Sequence, residues 1–434
     1  MSEINRAVKG TNDILPENSF RVQTVEKKLI ETARLFGFKE IRVPVFEHTE
    51  VFSRSVGDTT DVVQKEMYTF NDKGGRSITL RPELTAGVIR SVIENGLYAG
   101  SLPFKCCYIG GCYRYEKPQA GRLREFHQFG VECVGAAAPM ADAEVIALAH
   151  SVLGGLGIKD ISLEINSIGC PDCRKEYHKA LKQYFTEKSE GLCETCRERL
   201  DRNPMRILDC KSPICKDIAK DAPKVIDFLC DDCAEHFEGV KAHLNAAGIS
   251  YSVNPSIVRG LDYYTRTVFE FVSGDIGAQS TVCGGGRYDG LIAQMGGPAT
   301  PSLGFGMGIE RLLMVLESQN TDLPSEPTPD LYIATMGDAA CIKATSLCMK
   351  LREDGFSVSS DICSRGLKAQ MRYANKINAK YTLVLGDNEI AEGKARLKNM
   401  ADSTETEVLL TELGDALLKA LNKAALDSLT DSIG

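Results

Sequence analysis

The sequence predicts an α/β protein with two domains, and three observations point to this fold class. The chain has 434 residues, which at ~150 residues per domain suggests two or three domains. Strand-like alternation and helical periodicity occur in turn along most of its length. Residues 319–330 contain three prolines within six residues and no periodicity, which indicates a linker between two folded regions.

Composition excludes several classes of function. Apolar residues make up 43% and charged residues 25%, the balance of an ordinary globular protein. No apolar run approaches the ~18 residues that a membrane helix needs, and the N-terminal residues contain no signal-like apolar stretch. We therefore expect a cytoplasmic protein without a membrane partner. The net charge of −8 excludes a uniformly basic nucleic-acid-binding protein, although a local basic patch remains compatible with it.

The first region, to about residue 168, mixes helices and strands. Residues 20–36 have apolar positions near helical spacing and predict an amphipathic helix. Residues 41–45 predict a short strand, which Pro44 would confine to a sheet edge or an interface because proline cannot donate to a ladder. Pro82 predicts a helix start with Glu83 in its first turn, and residues 161–165 alternate as a strand does.

A basic hairpin is the densest feature. Residues 104–109 and 126–131 read as strands, and the loop between them contains proline and glycine. Its charged residues suit an anion, because arginine offers two-point contacts to phosphate, but a solvated basic hairpin is the alternative. Alternation places Gln128 and Glu132 on one face, and His127 on the other, where we expect a structural role. The basic residues are Arg114, Lys117, Arg122 and Arg124.

Two glycine-rich segments follow. Glycines alternate over residues 304–308 before a predicted helix at 309–318, and Arg311 lies in the first turn of that helix. A cation there opposes the helix dipole, which indicates placement for an anion. Residues 258–264 combine an arginine with two tyrosines, and residues 283–291 contain three consecutive glycines. Paired tyrosines beside an arginine can bind a polar ring and a charge, or form an ordinary strand surface.

Cysteines concentrate in a segment that we interpret as an inserted subdomain at about residues 170–240. Eight of the sixteen cysteines lie there, in three CxxC pairs and one wider pair. In a reducing compartment such pairs favour metal over disulfides, and eight thiolates suffice for two tetrahedral zinc sites. Free thiols are the alternative. The candidate ligands are Cys170, Cys173, Cys193, Cys196, Cys210, Cys215, Cys230 and Cys233.

Beyond the linker the pattern changes to β-α-β-α-β. Strands are predicted at residues 331–336, 358–362 and 381–385, with helices at 340–353 and 368–377. Strands that alternate with helices imply parallel pairs with flanking helices. We expect a separate α/β domain over residues 331–425, followed by a tail at 426–434.

Together these segments resemble the class II aminoacyl-tRNA synthetases. Residues 114–132 are similar to motif 2 of that class, residues 302–313 to motif 3, and residues 38–44 to motif 1, its dimer element. Three further stretches resemble signatures of the histidyl-tRNA synthetase family, namely residues 9–16, 258–264 and 284–291. The resemblance implies a catalytic domain over residues 1–318, built on a mostly antiparallel sheet, and a C-terminal anticodon-binding domain.

The resemblance also implies a set of histidine-binding residues. Glu83 and Thr85 would hold the α-amino group, and Gln128 would bind the amino and carboxylate region. Glu132 and Tyr264 would each bind one imidazole nitrogen, so that amino acids without those nitrogens leave buried polar groups unpaired. The implied set is Glu83, Leu84, Thr85, Arg114, Gln128, Glu132, Arg259, Tyr263 and Tyr264.

The same resemblance implies how ATP is bound and activated. Arg114 and Arg259 would be the catalytic residues, at the α-phosphate and the developing charge. Arg122 and Arg311 would hold the γ-phosphate, Phe126 would stack on adenine, and Mg²⁺ would neutralise the phosphates. Histidyl-adenylate would form first, and the terminal ribose hydroxyl of a histidine tRNA would then accept the histidine.

The same resemblance implies the partners of the protein and defines the competing functions. The resemblance implies a homodimer that binds a histidine tRNA, whose anticodon the C-terminal domain would read by contacts to splayed bases. One alternative is a non-catalytic regulatory paralogue, which would lack the anticodon domain and the full signature at residues 259–264. The other alternative is an RNA-binding protein that uses the fold without aminoacylation. Absence of Arg114 or Arg259 would have favoured that alternative.

Overall fold

The computed structural model describes residues 5–57, 60, 62–202, 204–208, 210, 212–257, 263–275 and 281–433. The chain divides into two compact units, Met1–Pro324 and Ser325–Gly434. Within the described residues, no helix combines the length and the apolar character that crossing a membrane requires.

The first unit mixes strands and helices, as predicted for the region up to about residue 168. Its strands are β1 (Lys39–Glu40), β2 (Phe46–His48), β3 (Tyr68–Asn71), β4 (Ser77–Leu80), β5 (Phe104–Tyr113), β6 (Glu125–Val134), β7 (Ile161–Ser167), β8 (Ser252–Val253), β9 (Thr265–Ser273), β10 (Thr281–Arg287) and β11 (Ser302–Gly308). Its helices are α1 (Pro16–Leu35), α2 (Thr49–Val56), α3 (Thr85–Glu94), α4 (Pro139–Gly155), α5 (Pro171–Glu187), α6 (Glu194–Arg202), α7 (Met205–Leu208), α8 (Pro213–Lys220), α9 (Asp231–Ala246), α10 (Leu291–Gln294) and α11 (Ile309–Ser318). Single π or 3₁₀ turns occur at Val62–Glu66, Leu97–Ala99, Ser189–Gly191 and Val225–Phe228.

An eight-stranded sheet organises this unit. Its strand order is β1-β5-β6-β11-β10-β9-β7-β8, and only the outermost pairs on each side, β1 with β5 and β7 with β8, are parallel. The five inner pairings are antiparallel. The mostly antiparallel sheet and the predicted hairpin, formed by β5 and β6, are therefore confirmed. A smaller antiparallel sheet has the order β2-β4-β3.

The two faces of the large sheet bury different sets of residues. Phe129 and Val131 of β6 lie in the larger core with apolar residues of α1, α4 and α11. The alternate residues of the same strands face a second core, to which α3 contributes Val88 and Ile89. Because side chains alternate across a strand, Gln128 and Glu132 of β6 lie on this second face.

Two local predictions differ from the structure. Residues 41–45 form no strand: the ladder with β5 covers only Lys39–Glu40, after which Ile41 N still donates to Cys107 O at 2.8 Å. Pro44, without a donor, cannot continue the ladder. The helix predicted from Pro82 begins at Thr85 instead, so Glu83 precedes the helix rather than lying in its first turn.

The cysteine-rich segment is helical, from α5 to α9. It has a small apolar core of its own, in which Tyr177, Leu181 and Phe185 of α5 lie. Strand β8, which follows α9 and pairs with β7, has only two residues.

The second unit has a five-stranded sheet in the order β13-β12-β14-β15-β16. The pairs of β12 with β13 and with β14 are parallel, as the β-α-β-α-β pattern predicts, and β15 and β16 extend the sheet antiparallel. Its strands are β12 (Leu331–Thr335), β13 (Val358–Ser360), β14 (Tyr381–Leu385), β15 (Lys394–Asn399) and β16 (Glu405–Leu409). Its helices are α12 (Asp338–Glu353), α13 (Leu367–Lys376), α14 (Asp387–Glu392) and α15 (Leu413–Ile433).

Candidate active site

Glycines form the floor of a depression on the second face of the large sheet. Gly130 of β6 lies opposite Gly306 of β11, and Gly304 lies opposite Glu132. A Cβ added to Gly304 would overlap the Glu132 carboxylate, and one added to Gly306 would overlap the Gln128 amide. Glycine is therefore required there because polar side chains of the neighbouring strand lie flat across the backbone.

Glu132 lies at the centre of this depression and is 1% exposed. Its Oε1 accepts a hydrogen bond of 2.8 Å from the Tyr108 hydroxyl, and its Oε2 accepts one from the Tyr288 hydroxyl. Burial raises the pKa of this carboxyl to about 8, although the tyrosine donors act in the opposite direction. Near neutral pH the group can therefore either donate or accept a proton.

Three tyrosine rings line one wall. The ring centroids of Tyr263 and Tyr264 are 4.7 Å apart, and that of Tyr288 is 5.4 Å from Tyr263. All three side chains are buried. Tyr263 and Tyr264 were predicted at the site, and the structure brings both beside the residue that binds Glu132.

Tyr108 and Tyr288 also lie at the site, although neither residue was predicted there. The signal for Tyr108 was the pairing of the hairpin strands, which sets it opposite Gly130 on the face of Glu132. The signal for Tyr288 was weaker, because its position depends on the β-bulge where β10 ends, between Gly286 and Arg287.

Glu83 is a second buried carboxylate and is 3% exposed. It accepts backbone hydrogen bonds from Thr85 at 2.6 Å and Ala86 at 2.8 Å, the first amides of α3. Burial raises its pKa, and the two amides and Arg114 oppose that rise. The Thr85 hydroxyl lies 3.4 Å from Tyr108 Oη, which connects Glu83 to the Glu132 group, while Leu84 packs in the adjoining core.

Arg114 lies where β5 ends, beside this pocket. Its Nε donates to the carbonyl of Pro82 at 2.8 Å, and its guanidinium carbon is 5.3 Å from the centre of the Phe126 ring. Gln128, on the same face as Phe126, accepts a weak hydrogen bond from the Cys112 thiol at 3.7 Å. A cation, an aromatic ring and an amide therefore follow one another along the hairpin.

Arg311 and Arg122 meet at the far end of the depression. Arg311 Nε donates to Gly121 O at 3.0 Å, and its Nη1 donates to Thr281 O at 2.8 Å. Arg122 forms an ion pair of 3.3 Å with Glu116. Burial lowers the pKa of Arg311, and the positive charges of Arg122 and Arg114 lower it further. Such a concentration of cations favours a polyanion.

His127 points to the opposite face, as alternation predicts. Its backbone amide donates to both carboxylate oxygens of Glu310 at 2.9 Å, and its Nδ1 lies 2.9 Å from Oε1. The bond to Glu310 raises the pKa of His127. This contact joins β6 to the first turn of α11, the turn that also carries Arg311.

A buried ion cluster anchors β10 from the other face. Arg287, fully buried, pairs with Asp142 of α4 and, at 3.1 Å, with Asp289. His236 of α9 lies 3.3 Å from Asp142. The cluster connects the strand that precedes Tyr288 to two helices.

Of the predicted site residues, Arg259 lies outside the described part of the chain, as do the neighbouring residues 258 and 260–262. The remaining predicted histidine- and ATP-binding residues lie on the second sheet face or on the segments that border it.

The eight candidate metal ligands form two separate groups of four. Cys170, Cys173, Cys230 and Cys233 make up the base cluster. Cys193, Cys196, Cys210 and Cys215 make up the distal cluster. In each cluster the four sulfur atoms lie within 4.8 Å of one another. None of the sixteen cysteines, all of which lie within the described residues, forms a disulfide.

The geometry joins two kinds of recognition. Buried carboxylates and hydroxyls suit a small polar molecule with its own nitrogen donors. Arginines along the adjoining groove suit phosphate oxygens. The depression can therefore hold an amino acid beside a nucleoside triphosphate.

Comparisons with known proteins agree with this geometry. The family model described as Histidyl-tRNA synthetase matches residues 10–312, and that described as Anticodon binding domain matches residues 330–420. A histidine–tRNA ligase of Caldanaerobacter subterraneus is 54% identical over 414 residues, 95% of this chain and 99% of the relative. One from Acetivibrio thermocellus is 55% identical over 94% of this chain and 98% of the relative.

Solved structures agree as well. The apo histidyl-tRNA synthetase of S. aureus superposes with a TM-score of 0.82 at 39% identity, covering 95% of this chain and 99% of that one. A histidyl-tRNA synthetase from Nostoc sp. PCC 7120 has a TM-score of 0.68 at 19% identity, which supports the fold alone. The resemblance noted from the motifs is confirmed, and the chain belongs to the histidyl-tRNA synthetase family.

Proposed function

We propose that this chain activates L-histidine with ATP and transfers it to the 3′ end of a histidine tRNA. One observation carries the proposal: the buried Glu132, bonded by Tyr108 and Tyr288, lies on a glycine floor beside the arginine groove. The pocket is selective because it contains polar groups that only a ligand with matching donors and acceptors can satisfy.

Histidine binding is assigned to the two buried carboxylates and the tyrosine wall. Glu83 faces the α-amino group, which its charge suits, and Gln128 binds the amino and carboxylate region. Glu132 and Tyr264 each bind one imidazole nitrogen. The raised pKa of Glu132 supports this assignment, because a carboxyl that titrates near neutral pH can match either protonation state of an imidazole.

Adenylate formation is assigned to the arginines. The histidine carboxylate attacks the α-phosphate, pyrophosphate leaves, and Arg114 with Arg259 stabilises the charge that develops on the phosphate oxygens. Arg122 and Arg311 hold the leaving pyrophosphate, while adenine stacks on Phe126. This chemistry depends on positioning and electrostatics, without a covalent intermediate on the enzyme.

Magnesium belongs to the same proposal. Glu270 of β9 lies opposite Gly284 on the pocket face, and it accepts a hydrogen bond of 2.8 Å from the Thr281 hydroxyl. Glu116 forms an ion pair with Arg122, and Glu116 and Glu270 both act on the charge of Arg311. Glu270 and Glu116 would hold a Mg²⁺ ion, because carboxylate oxygens are the ligands that this ion prefers. Bound Mg²⁺ would neutralise phosphate charge during attack.

The second unit is assigned to anticodon recognition, and the first unit to catalysis. The guanidinium carbon of Arg365, in the loop before α13, lies 4.3 Å from the centre of the Tyr373 ring on α13. Ile362 is 90% exposed. Exposed apolar and cationic groups suit unpaired bases and their phosphates. Lys368, Arg372 and Lys376 are the further phosphate contacts proposed on that helix.

A homodimer, a cytoplasmic location and a structural zinc complete the proposal. An open cavity of about 690 Å³ borders residues 40–45 and α1, and Val45 and Phe46 remain exposed beside it. A second copy of the chain would cover this surface. Sedimentation at micromolar concentration should give a dimer, and a monomer would contradict this part. At least one zinc ion is assigned to the cysteine-rich insertion.

The test is ATP–pyrophosphate exchange with each standard amino acid in turn. Exchange with histidine alone is expected, and Glu132→Ala should abolish it. Glu164→Ala, a carboxylate on strand β7 of the same sheet, is the matched control and should retain exchange. Exchange with another amino acid would overturn the pocket assignment, and no exchange would favour the regulatory paralogue or an RNA-binding protein.

A further inference from the structure

The two cysteine clusters have the geometry of mononuclear metal sites. The sulfur atoms of Cys170 and Cys173 are 3.5 Å apart, and those of Cys193 and Cys210 are 3.8 Å apart. A tetrahedral zinc ion with bonds of about 2.3 Å to sulfur separates its ligands by about 3.8 Å. The spacing is too long for a disulfide and too short for a cluster in which each sulfur binds a different iron.

Backbone amides point at the sulfurs, as they do around thiolates. The amide of Cys230 donates to Cys173 Sγ at 3.1 Å, and that of Cys193 donates to Cys215 Sγ at 3.3 Å. In the base cluster each CxxC pair begins a helix, because Cys170 precedes α5 and Cys230 precedes α9. Two helix N-termini thus converge on four sulfurs, which stabilises their negative charge.

The insertion needs such support. It spans about 64 residues from Cys170 to Cys233, below the ~70 at which a single apolar core becomes sufficient. Its buried core includes three of the distal cysteines themselves, Cys196, Cys210 and Cys215. Without a metal these thiols would contribute little more than small apolar groups.

The base cluster is also connected to the histidine pocket. Arg174, next to Cys173, donates to the carbonyl of Tyr264 at 3.1 Å. Gly169, next to Cys170, accepts the backbone amide of Arg266 at 2.9 Å. These contacts attach the first turn of α5 to the segment that carries Tyr263 and Tyr264.

We infer that the chain binds two zinc ions, one per cluster, and that the base zinc positions the tyrosine wall of the histidine pocket. The distal zinc holds the insertion together and has no contact with the pocket. The base cysteines are positioning residues, because they act through Arg174 and Gly169 on the backbone of residues 264–266.

Metal counting tests the first part without reference to activity. Untagged full-length protein, loaded with Zn²⁺ under reducing conditions and desalted, should contain two zinc ions per chain. Cys230 is the exposed cysteine of the base cluster, and Cys193 is the least buried cysteine of the distal cluster. Cys230→Ser and Cys193→Ser should each retain one zinc ion. Cys363→Ser, an exposed thiol of the second unit, is the control and should retain two.

Co²⁺ provides an independent spectroscopic readout. Co²⁺ in place of Zn²⁺ should give the intense visible bands of a tetrahedral thiolate site, halved in each single variant. Fewer than two zinc ions in the unaltered chain, bound iron instead, or two zinc ions in Cys230→Ser would overturn the inference.

The positioning role rests on the proposed function and is tested by histidine-dependent pyrophosphate exchange. Cys230→Ser should raise KM for histidine roughly tenfold with a smaller change in kcat, because the pocket wall shifts. Cys193→Ser should leave both constants within about twofold of the unaltered chain. Cys230→His, which retains a zinc ligand, should restore two zinc ions and the lower KM.

The outcomes separate the two proposals. No exchange by the unaltered chain with two zinc ions would contradict the proposed function and leave the metal sites standing. Normal exchange and an unchanged KM for histidine in a one-zinc Cys230→Ser protein would contradict the positioning role. If Cys230→Ser fails to fold, the zinc count of the unaltered chain and the behaviour of Cys230→His decide the same question.

Discussion

Glu132 lies directly across from Gly304 in the β6–β11 ladder, and its carboxylate occupies the space that a side chain at residue 304 would need. The two residues therefore specify each other: the carboxylate can lie flat on the sheet only because its neighbour has no Cβ.

Gly304→Ala should damage the histidine pocket and strain the β6–β11 ladder beneath it. The added Cβ would overlap the Glu132 carboxylate and the backbone carbonyl of Val131, so both the carboxylate and the β6 backbone must shift. We expect KM for histidine to rise roughly tenfold or more, with KM for ATP little changed. Pyrophosphate exchange measures both. Gly154→Ala, on α4 where an added Cβ meets nothing within 4 Å, is the control; equal effects of the two substitutions would contradict the prediction.

Glu132→Gln should change how stability depends on pH. Burial raises the pKa of Glu132 from 4.5 to about 8, so folding favours the protonated carboxyl. Its stabilising contribution is full below the unfolded pKa and is lost as pH rises through the folded pKa. Glutamine stays neutral at every pH, so the stability of the variant does not fall with this titration. Relative to the variant, the unaltered chain should lose a few kcal/mol between about pH 4.5 and about pH 8. Urea unfolding across this range measures the difference, and parallel stability curves would refute it.

Arg114→Lys should slow adenylate formation. The guanidinium is oriented by the Pro82 carbonyl and the Phe126 ring, and lysine lacks the planar fork that contacts two oxygens at once. We expect kcat for exchange to fall about 10²- to 10³-fold. Arg54→Lys, on the exposed face of α2, is the matched control and should be neutral. A loss of less than about threefold in Arg114→Lys would show that this arginine has no catalytic role.

Arg287→Met should destabilise the first unit strongly. It leaves Asp142 buried without its main cation, which costs about 3–5 kcal/mol in comparable cases. The double variant Arg287→Met/Asp142→Leu should recover much of that loss, because both charges are gone. Urea unfolding measures each free energy. Lys394→Met, from an exposed ion pair with Glu407, should cost at most about 1 kcal/mol. Additive losses in the double variant would argue against a coupled pair.

Local sequence patterns predicted a large part of the fold. Alternation placed Gln128 and Glu132 on one face of β6 and His127 on the other, and the structure agrees because that pattern depends only on strand geometry. The helix predicted at residues 309–318 matches α11, because helical periodicity likewise depends on local backbone geometry. Where the prediction was wrong, at residues 41–45 and at the start of α3, the boundary depended on which strand or side chain lay nearby.

The sequence by itself determined the strand and helix periodicities, the motifs that identify the family, and the cysteine pairs that suit a metal. Only the tertiary structure decided that Tyr108 and Tyr288 bind Glu132, and that the cysteines divide into a base and a distal cluster. Tyr288 is 156 residues from Glu132, and Cys230 is 57 residues from Cys173. Contacts at such separations depend on sheet register and helix packing, which no local pattern of side chains specifies.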